Sequence, residues 1–401
     1  MIDAPPIPDV DFALRLVDSV QDHPQKARDE AEHLIVRQDL DPETTAVAWW
    51  AFGFASRQLN DLSTADEALR NGLDIAAAAG LSRRVGQIRS SLALVILYMG
   101  DSQGALEEAE RAMVGLSGVD RARNEMQIGL ILQRLGRLDD ALVRYRSALV
   151  GLRRVGDRLV EARLLSNRGV LHGYRGELDL GISDLVAARA IAEDLSQGLI
   201  MGVCAQNLGF LEGRKGDVPA ALAWFDRAEA AFETLGRPPG MTEVLWANRA
   251  ELLLTAGLYL EAERAVRAAI AGLERTDNKT DLSETRLLAA EVALAARRPE
   301  EALEFASVAS SEFTEQDRQA WRLLAEYAAL RARFEARTSE GATASGAARL
   351  AGELAAIGLL SESQHCHLLA GRIAMRDGAL GDARRQLSAA SGARRRGTSL
   401  D

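Results

Sequence analysis

The sequence predicts an all-α fold, a solenoid of antiparallel helix pairs with a period of about 40 residues. Three observations support this prediction: a helix-forming composition, a recurring turn residue, and columns of small residues at fixed distances from that turn. Ala, Leu, Arg and Glu dominate, and only 9 of 401 residues are Pro, so long uninterrupted helices can form.

A turn residue separates the two helices of each predicted repeat. The column comprises Asn60, Gly100, Gly136, Gly176, Gly216, Gly257, Arg297 and Gly378. Successive members lie 40, 36, 40, 40, 41, 40 and 81 residues apart, and the last interval corresponds to two periods. Several turns are followed by an acid suited to a helix N-cap or first turn, namely Asp101, Glu177 and Asp217.

Three columns contain only Gly or Ala. They lie seven residues before the turn (Gly53, Ala93, Gly129, Gly169, Gly209, Ala250, Ala290, Gly371), five after it (Ala65, Ala105, Ala141, Gly181, Ala221, Ala262, Ala302, Ala383) and twelve after it (Gly72, Ala112, Ala148, Ala188, Ala228, Ala269, Ala309, Ala390). The column nine after the turn is mostly large, with Ala109 and Ala306 as exceptions. Two helices approach closely only where side chains are small, and a large neighbour then fills the adjoining gap.

This pattern resembles the tetratricopeptide repeat, and the segment NLGFLEGRKGDVPAALAWFDRAEAAF, Asn207 to Phe232, matches all of its features. The family's usual period is 34 residues, so each helix here is expected to be longer. The resemblance implies a right-handed superhelical solenoid. We expect an atypical N-terminal helix pair as a cap (1–41), seven repeats (42–315), a degenerate repeat with a Gly/Ser/Thr-rich loop at Thr338 to Ser345 (316–358), and a last repeat with a basic tail (359–401), all one continuous solenoid domain.

In tetratricopeptide arrays the first helices line the concave side. Positions 13, 9, 6 and 2 before each turn form one helical stripe and should face that groove. The predicted contact residues are Arg123, Gln127, Arg134, Arg163, Asn167, Tyr174, Asn207, Phe210, Arg214 and Asn248. Their partner is expected to be a protein or peptide with an acidic or polar extended segment, because arginines favour acidic groups.

An amide recurs nine residues before the turn, in Gln127, Asn167, Asn207 and Asn248. A carboxamide both donates and accepts, so a ladder of amides can hold an extended backbone. This resembles the asparagine ladder of kinesin light chain and the mitotic-spindle adaptors. The alternative is that these amides bond to neighbouring helices and bind nothing. Arg168 and Arg249 are expected to pair with acids inside the array.

Composition and charge argue against several functions. The net charge of −10 does not favour a nucleic-acid partner. No apolar run is long enough for a membrane span, Met1 to Asp11 lacks a signal-peptide pattern, and two cysteines provide no disulfide framework, so we expect a cytoplasmic protein without a membrane partner.

Catalysis and cofactor binding are not expected. Cys204 and Cys366 both lie twelve residues before a turn, which is a packing column. His365, Cys366 and His367 are adjacent on a helix and cannot easily share a metal ion. Arg394, Arg395 and Arg396 are interpreted as solvated cations that compensate the helix dipole at a C-terminal helix end.

A narrower resemblance concerns the stretch LILQRLGRLDDALVRYRSALVGLRRVGDRLVEARLLSNRGVLHGYRGELDLG and the stretch RKGDVPAALAWFDRAEAAFETLG. Both look like the repeat region of actinobacterial proteins with a C-terminal CHAT domain, a caspase-like peptidase that this sequence lacks. The resemblance implies a sensing or regulatory arm that restrains or releases such a peptidase in cis or in trans. The alternative is a regulator that senses signalling peptides. The sequence ends where another first helix would begin, so we expect a longer polypeptide or a docked partner there.

Overall fold

The computed structural model describes residues 9–21, 23–238, 240–336 and 342–396, with side chains up to Ser391. Within these ranges the chain forms twenty α-helices and no strand, which confirms the predicted all-α fold. The helices are α1 (Val10–Ser19), α2 (Pro24–Ile35), α3 (Pro42–Gln58), α4 (Leu62–Ala78), α5 (Ser82–Tyr98), α6 (Ser102–Ala112), α7 (Gly118–Arg134), α8 (Leu138–Val155), α9 (Arg158–Tyr174), α10 (Leu178–Asp194), α11 (Gly198–Lys215), α12 (Val218–Thr234), α13 (Met241–Thr255), α14 (Tyr259–Leu273), α15 (Lys279–Ala295), α16 (Pro299–Glu315), α17 (Gln319–Glu335), α18 (Ala344–Ala356), α19 (Leu360–Arg376) and α20 (Leu380–Arg396).

The chain divides into two compact units, Met1–Leu252 with Ala268–Asp281 and Leu253–Arg267 with Leu282–Asp401. In the first unit the pairs α3–α4, α5–α6, α7–α8, α9–α10 and α11–α12 pack as helix hairpins, and the first helices α3, α5, α7, α9 and α11 also pack side by side. In the second unit α16 packs on α17, and α19 packs on both α18 and α20. The predicted domain limits at 41, 315 and 358 stay a prediction.

The eight predicted turn residues all have positive φ, from 62° at Asn60 to 101° at Gly100. This left-handed conformation ends one helix and redirects the chain into the next, which is why Gly dominates the column. The predicted N-caps at Asp101 and Asp217 are confirmed, since their carboxylates accept from the amides of Gly104 and Ala220 at 2.7 and 3.0 Å.

The three small-residue columns are buried at every position. Where the residue seven before the turn is Gly, a large side chain of the second helix occupies the space of the missing β-carbon. A β-carbon on Gly129 would lie 2.6 Å from the ring of Tyr145, and one on Gly209 would lie 2.6 Å from the ring of Phe225. The packing inferred from the columns is therefore confirmed.

The two exceptions in the large column share one feature. In the repeats of Ala109 and Ala306, the residue seven before the turn is Ala instead of Gly, namely Ala93 and Ala290. All four side chains are buried. In these two repeats a methyl group on each helix takes the place of a glycine and a large side chain, whereas the repeat of Ala250 keeps a large residue, Val266.

The degenerate repeat begins with α17 and α18, and the Thr343 hydroxyl caps α18 by accepting from the Gly346 amide at 3.0 Å. Residues 338–341 of the predicted loop lie outside the described residues, as do the side chains of Arg394, Arg395 and Arg396. Among the described helices, none has the length and apolar character needed to cross a bilayer.

Candidate functional site

The ten predicted contact residues lie on the first helices α7, α9, α11 and α13, all within the first compact unit. We call the stripe at positions 13, 9, 6 and 2 before the turns of α3, α5, α7, α9, α11 and Met241–Leu252 the first-helix face. None of the ten is buried: Arg123, Tyr174 and Arg214 are exposed, and the other seven are half-buried. The face is therefore accessible to a ligand.

The first-helix face is curved within this unit. The evidence is that a single glutamine contacts two positions of the face that lie on α3 and α9. Gln21, in the connection after α1, accepts a hydrogen bond from Arg163 of α9 at 2.6 Å. The same oxygen accepts from Gln58 of α3 at 3.4 Å. The N-terminal helix pair therefore contacts the face between its first and fourth repeats, which the periodic pattern could not reveal.

The amide column serves two purposes. The Gln127 oxygen accepts from the Ser90 hydroxyl at 2.7 Å, and the Asn207 amide donates to the Ser166 hydroxyl at 3.0 Å. These two bonds join neighbouring first helices, as the structural alternative proposed, and each uses one end of its carboxamide. The amides of Asn167 and Asn248 form no hydrogen bond with any described residue.

Three of the four arginines on the predicted stripe are engaged by the chain itself. Arg123 pairs with Asp157 at 2.8 Å, Arg134 pairs with Asp281 at 3.0 Å, and Arg163 donates to Gln21. The sequence argument had assigned all four to an acidic partner. Among the described residues, only Arg214 of the four has neither an ion-pair partner nor a hydrogen-bond partner.

Arg168 and Arg249 were expected to pair with acids inside the array, and both do. Arg168 forms a two-point ion pair with Asp184 at 2.6 and 2.7 Å. Arg249 bonds to Asp226 at 2.7 Å and to Glu229 at 3.1 Å. Each arginine thus ties a first helix to the second helix of its own or the preceding repeat.

An aromatic cluster lies on α9 and α11, the helices that also contain Asn167 and Asn207. The rings of Tyr174 and Phe210 are 5.7 Å apart with an interplanar angle of 59°. The guanidinium of Arg214 stacks over Phe210, 5.7 Å from the ring centroid. The structure therefore brings these three predicted residues into direct contact.

A second cluster of the same kind lies on α3 and α5. The Arg57 guanidinium stacks over Phe54, 5.0 Å from the ring centroid, and interacts electrostatically with Tyr98. Sequence reasoning missed Arg57 because it lies three residues before the turn, outside the predicted stripe. That column elsewhere holds uncharged residues, namely Leu97, Gln133, Gly173, Gly213, Leu254, Leu294 and Met375. Arg57 could have been identified from the sequence as a charged residue in a column otherwise occupied by packing residues.

The connection between α14 and α15 contacts the first repeats of the same unit. Asp277 accepts from the amide and hydroxyl of Ser63 at 3.1 and 2.8 Å, and the buried Thr280 hydroxyl donates to the Leu97 carbonyl at 2.5 Å. Together with the pair of Arg134 and Asp281, these bonds join residues separated by as many as 214 positions.

The packing interpretation of both cysteines is confirmed, since neither Cys204 nor Cys366 exposes any surface. Burial raises the pKa of the Cys204 thiol to about 11 and that of Cys366 to about 12. His365 is exposed, whereas His367 bonds to Gln386 at 2.8 Å. Within the part of the chain that the structure describes, no group of three or more His, Cys, Asp or Glu side chains could hold a metal ion.

No protein-family model and no curated protein sequence matches this chain. Solved structures do match its fold. A Rap protein in complex with competence and sporulation factor has a TM-score of 0.65 at 12% identity, covering 88% of this chain and 98% of that chain. The Rap conjugation gene regulator in complex with the Phr* peptide has a TM-score of 0.55 at 14% identity, covering 78% and 98%. The apo quorum sensor NprR from B. thuringiensis has a TM-score of 0.52 at 13% identity, covering 96% and 97%. These likenesses confirm a solenoid of tetratricopeptide-like helix pairs.

Proposed function

We propose that this chain is a regulatory scaffold whose first-helix face binds an extended peptide segment. The observation that carries the proposal is the half-buried amides of Asn167 and Asn248, which have no partner among the described residues and flank Asn207. A half-buried carboxamide without partners loses hydrogen bonds to water, and a peptide backbone can restore them. The adjacent Tyr174 and Phe210 supply apolar contact.

The carboxamide of an asparagine contains both a donor and an acceptor, so it can bond to a backbone carbonyl and a backbone N–H of an extended chain. Asn207 keeps its oxygen for a ligand while its nitrogen holds Ser166. The bond to Ser166 also fixes the orientation of that side chain before binding, which lowers the entropy lost on association. A peptide lying across α9, α11 and α13 would meet all three asparagines.

The nature of the partner is supported by the solved structures of similar fold. Two of them are complexes of Rap proteins with competence and sporulation factor or with the Phr* peptide, and the third is a quorum sensor. We therefore favour a short signalling peptide as the ligand of this chain. The sequence resemblance to CHAT-associated repeats supports a second partner, a caspase-like peptidase domain that the scaffold would restrain or release on binding.

The peptide proposal can be tested with a pool of ten-residue peptides of random sequence. Purified protein is mixed with the pool, and the peptides that co-elute in gel filtration are quantified by mass spectrometry. Replacing Asn167, Asn207 and Asn248 together with Ala removes about three hydrogen bonds worth 0.5–1.5 kcal/mol each, so retention should fall at least about tenfold. Asn71→Ala on the second helix α4 is the matched control and should bind as the wild type does.

Unchanged peptide retention by the triple variant would refute the proposal that the three asparagines bind the peptide. The partner class is tested separately by passing lysate over immobilised protein. Recovery of a CHAT-domain peptidase whose cleavage activity changes on addition of the scaffold would support the peptidase partner, whereas selective recovery of a short peptide would support the signalling alternative.

A further inference from the structure

We propose that the first helices carry two anchoring sites for carboxylates of the ligand of the first-helix face, one formed by Phe54, Tyr98 and Arg57, which lies next to the face position Gln58, and the other by Tyr174, Phe210 and Arg214. This inference rests on the proposed function and specifies its ligand as a peptide with two separated acidic groups. The first site uses no residue among the ten predicted contacts, and the pairing of two sites follows only from the structure.

The two sites contain the same three kinds of residue in different registers. Each has a phenylalanine six residues before a turn, with a guanidinium from the last turn of the same helix over its ring, at 5.0 Å for Arg57 and 5.7 Å for Arg214. The tyrosine of each site lies two residues before a turn, on the following first helix for Tyr98 and on the preceding one for Tyr174. Tyr98 interacts electrostatically with Arg57, and Tyr174 contacts the Phe210 ring.

Stacking leaves the edge of a guanidinium free to donate. The ring covers one flat side of the cation, so a carboxylate can approach in the guanidinium plane and accept two parallel hydrogen bonds. Carboxylate is therefore the ligand chemistry that suits both sites.

Neither guanidinium has a carboxylate partner among the described residues. Arg214 is exposed, whereas Arg57 is half-buried. Most other half-buried or buried arginines do have such a partner, as in Arg84–Glu43, Arg168–Asp184, Arg286–Glu312, Arg318–Glu284 and Arg331–Glu291, and Arg189 is an exception. The Nε of Arg57 is fully buried without an acceptor, the only arginine nitrogen in this condition in the described ranges, and the Nδ2 of Asn60 one turn later is in the same condition.

A half-buried cation without a partner is unfavourable, because it loses hydration without gaining a Coulombic partner. The same burial lowers the pKa of Arg57, which shows that its surroundings disfavour the charge. An incoming carboxylate would remove this penalty as well as form new bonds. The free protein thus holds Arg57 in a state that an anion stabilises.

The stretch between the two sites offers no free cation among its predicted arginines. Arg123, Arg134 and Arg163 are held by Asp157, Asp281 and Gln21. Adjacent packed helices are spaced about 8–10 Å apart, so the four helix spacings from Arg57 on α3 to Arg214 on α11 give an upper limit of about 40 Å. An extended peptide rises about 3.3 Å per residue, so the two acidic groups should be at most about twelve residues apart, and closer together because the face curves.

The test uses three pools of ten-residue peptides with eight random inner positions. The first pool has Glu at both ends and an amidated C-terminus, the second has Gln at both ends and an amidated C-terminus, and the third has Gln at both ends with a free C-terminal carboxylate. Wild-type protein should retain the Glu pool at least about tenfold better than the amidated Gln pool. Higher retention of the third pool than of the second would show that one site binds a C-terminal carboxylate instead of a side-chain carboxylate.

Arg57→Met and Arg214→Met should each reduce retention of the Glu pool by about three- to tenfold, and the double variant should no longer distinguish Glu from Gln. Arg154→Met removes an exposed cation of the second helix α8, outside the first-helix face, and the preference of this variant for the Glu pool should stay unchanged. Equal retention of Glu and Gln pools by the wild type, or an undiminished preference in both single variants, would overturn the two sites while leaving peptide binding intact. Retention of no pool by the wild type would instead remove the proposed function.

A second readout tests the role of Arg57 without a peptide. Because Arg57 has no ion-pair partner to lose, Arg57→Met should leave the Tm of the free protein at or above that of the wild type. Arg331→Met, which breaks the 2.6 Å pair with Glu291, should lower the Tm. A similar fall in both variants would show that Arg57 serves packing alone and would refute its assignment.

Discussion

Leu69 of α4 occupies the space that a side chain on Gly53 of α3 would need, since a β-carbon there would lie 2.7 Å from the Leu69 Cγ. We therefore expect Gly53→Ala to destabilise the fold by about 1–3 kcal/mol through overpacking. Leu69→Ala should cost about 2–5 kcal/mol through the cavity it leaves. The double variant reproduces the alanine pair seen at Ala93 and Ala109, so it should cost less than the sum of the two.

The measurement is urea unfolding of the two single variants and the double variant, compared as a double-mutant cycle. Gly80→Ala is not a suitable control because its φ of 70° adds strain of its own. Ala77→Gly, on the exposed side of α4, tests the helix propensity alone and should cost about 1 kcal/mol. If the free-energy changes of the two single variants add up to that of the double variant, Gly53 and Leu69 are not sterically complementary.

Arg318 in the second unit is fully buried, with its guanidinium 5.1 Å from the ring centre of Phe313 and 4.8 Å from that of Trp321. It pairs with Glu284 at 2.6 Å. Arg318→Met should destabilise the α16–α17 hairpin by about 3–5 kcal/mol, because Glu284 would be left without its partner.

Adding Glu284→Gln to Arg318→Met removes the carboxylate charge that had faced Arg318 and should recover part of that loss. Hydrogen exchange of the amides of α16 and α17 measures the effect locally. If exchange in the Arg318→Met variant matches the wild type, then the ion pair does not stabilise the hairpin.

Arg297 occupies the turn position that is Gly in six of the eight repeats, and its φ is 62°. A side chain in this left-handed conformation costs about 1 kcal/mol relative to glycine. Arg297→Gly should therefore raise the free energy of unfolding by about 0.5–1 kcal/mol, whereas Gly176→Ala, at φ 78°, should lower it by a similar amount. Thermal unfolding of both variants decides the sign, and destabilisation by Arg297→Gly would contradict the proposed strain.

Both thiols should resist alkylation while the protein is folded. Their pKa values of about 11 and 12 leave little thiolate at pH 8, and neither sulfur is accessible. The unfolded pKa is about 8.5, so the unfolded state loses these protons first as pH rises. The stability contributed by the buried thiols is thus fully present below about pH 8.5 and is lost as pH rises through about 11 and 12.

Iodoacetamide labelling from pH 8 to pH 10, with and without urea, tests this expectation. The labelling rate of the native protein should follow the rate of opening, with single Cys204→Ser and Cys366→Ser variants reporting each site. Rapid labelling of either thiol at pH 8 in the absence of urea would contradict the assigned burial.

Periodic features of the fold were predictable from sequence because each depends on residues within one helix hairpin. The turn at Gly136 recurs in every repeat and the contact of Gly129 with Tyr145 has counterparts in most of them, so columns reveal both. The partners of Arg134 and Arg163 were not predictable in this way. Asp281 and Gln21 lie more than 140 positions away and belong to no column, so only the three-dimensional structure shows that they occupy those guanidinium groups.

The hydrogen bonds between Ser63 and Asp277 and between Thr280 and Leu97 affect how the first unit unfolds. In an open array each repeat contacts only its neighbours, and total stability is approximately a sum of repeat and interface terms. Here early repeats are also secured to the segment that follows α14. Truncating either end should thus weaken the opposite end as well, and the unit should melt in one concerted transition instead of fraying inward from its termini.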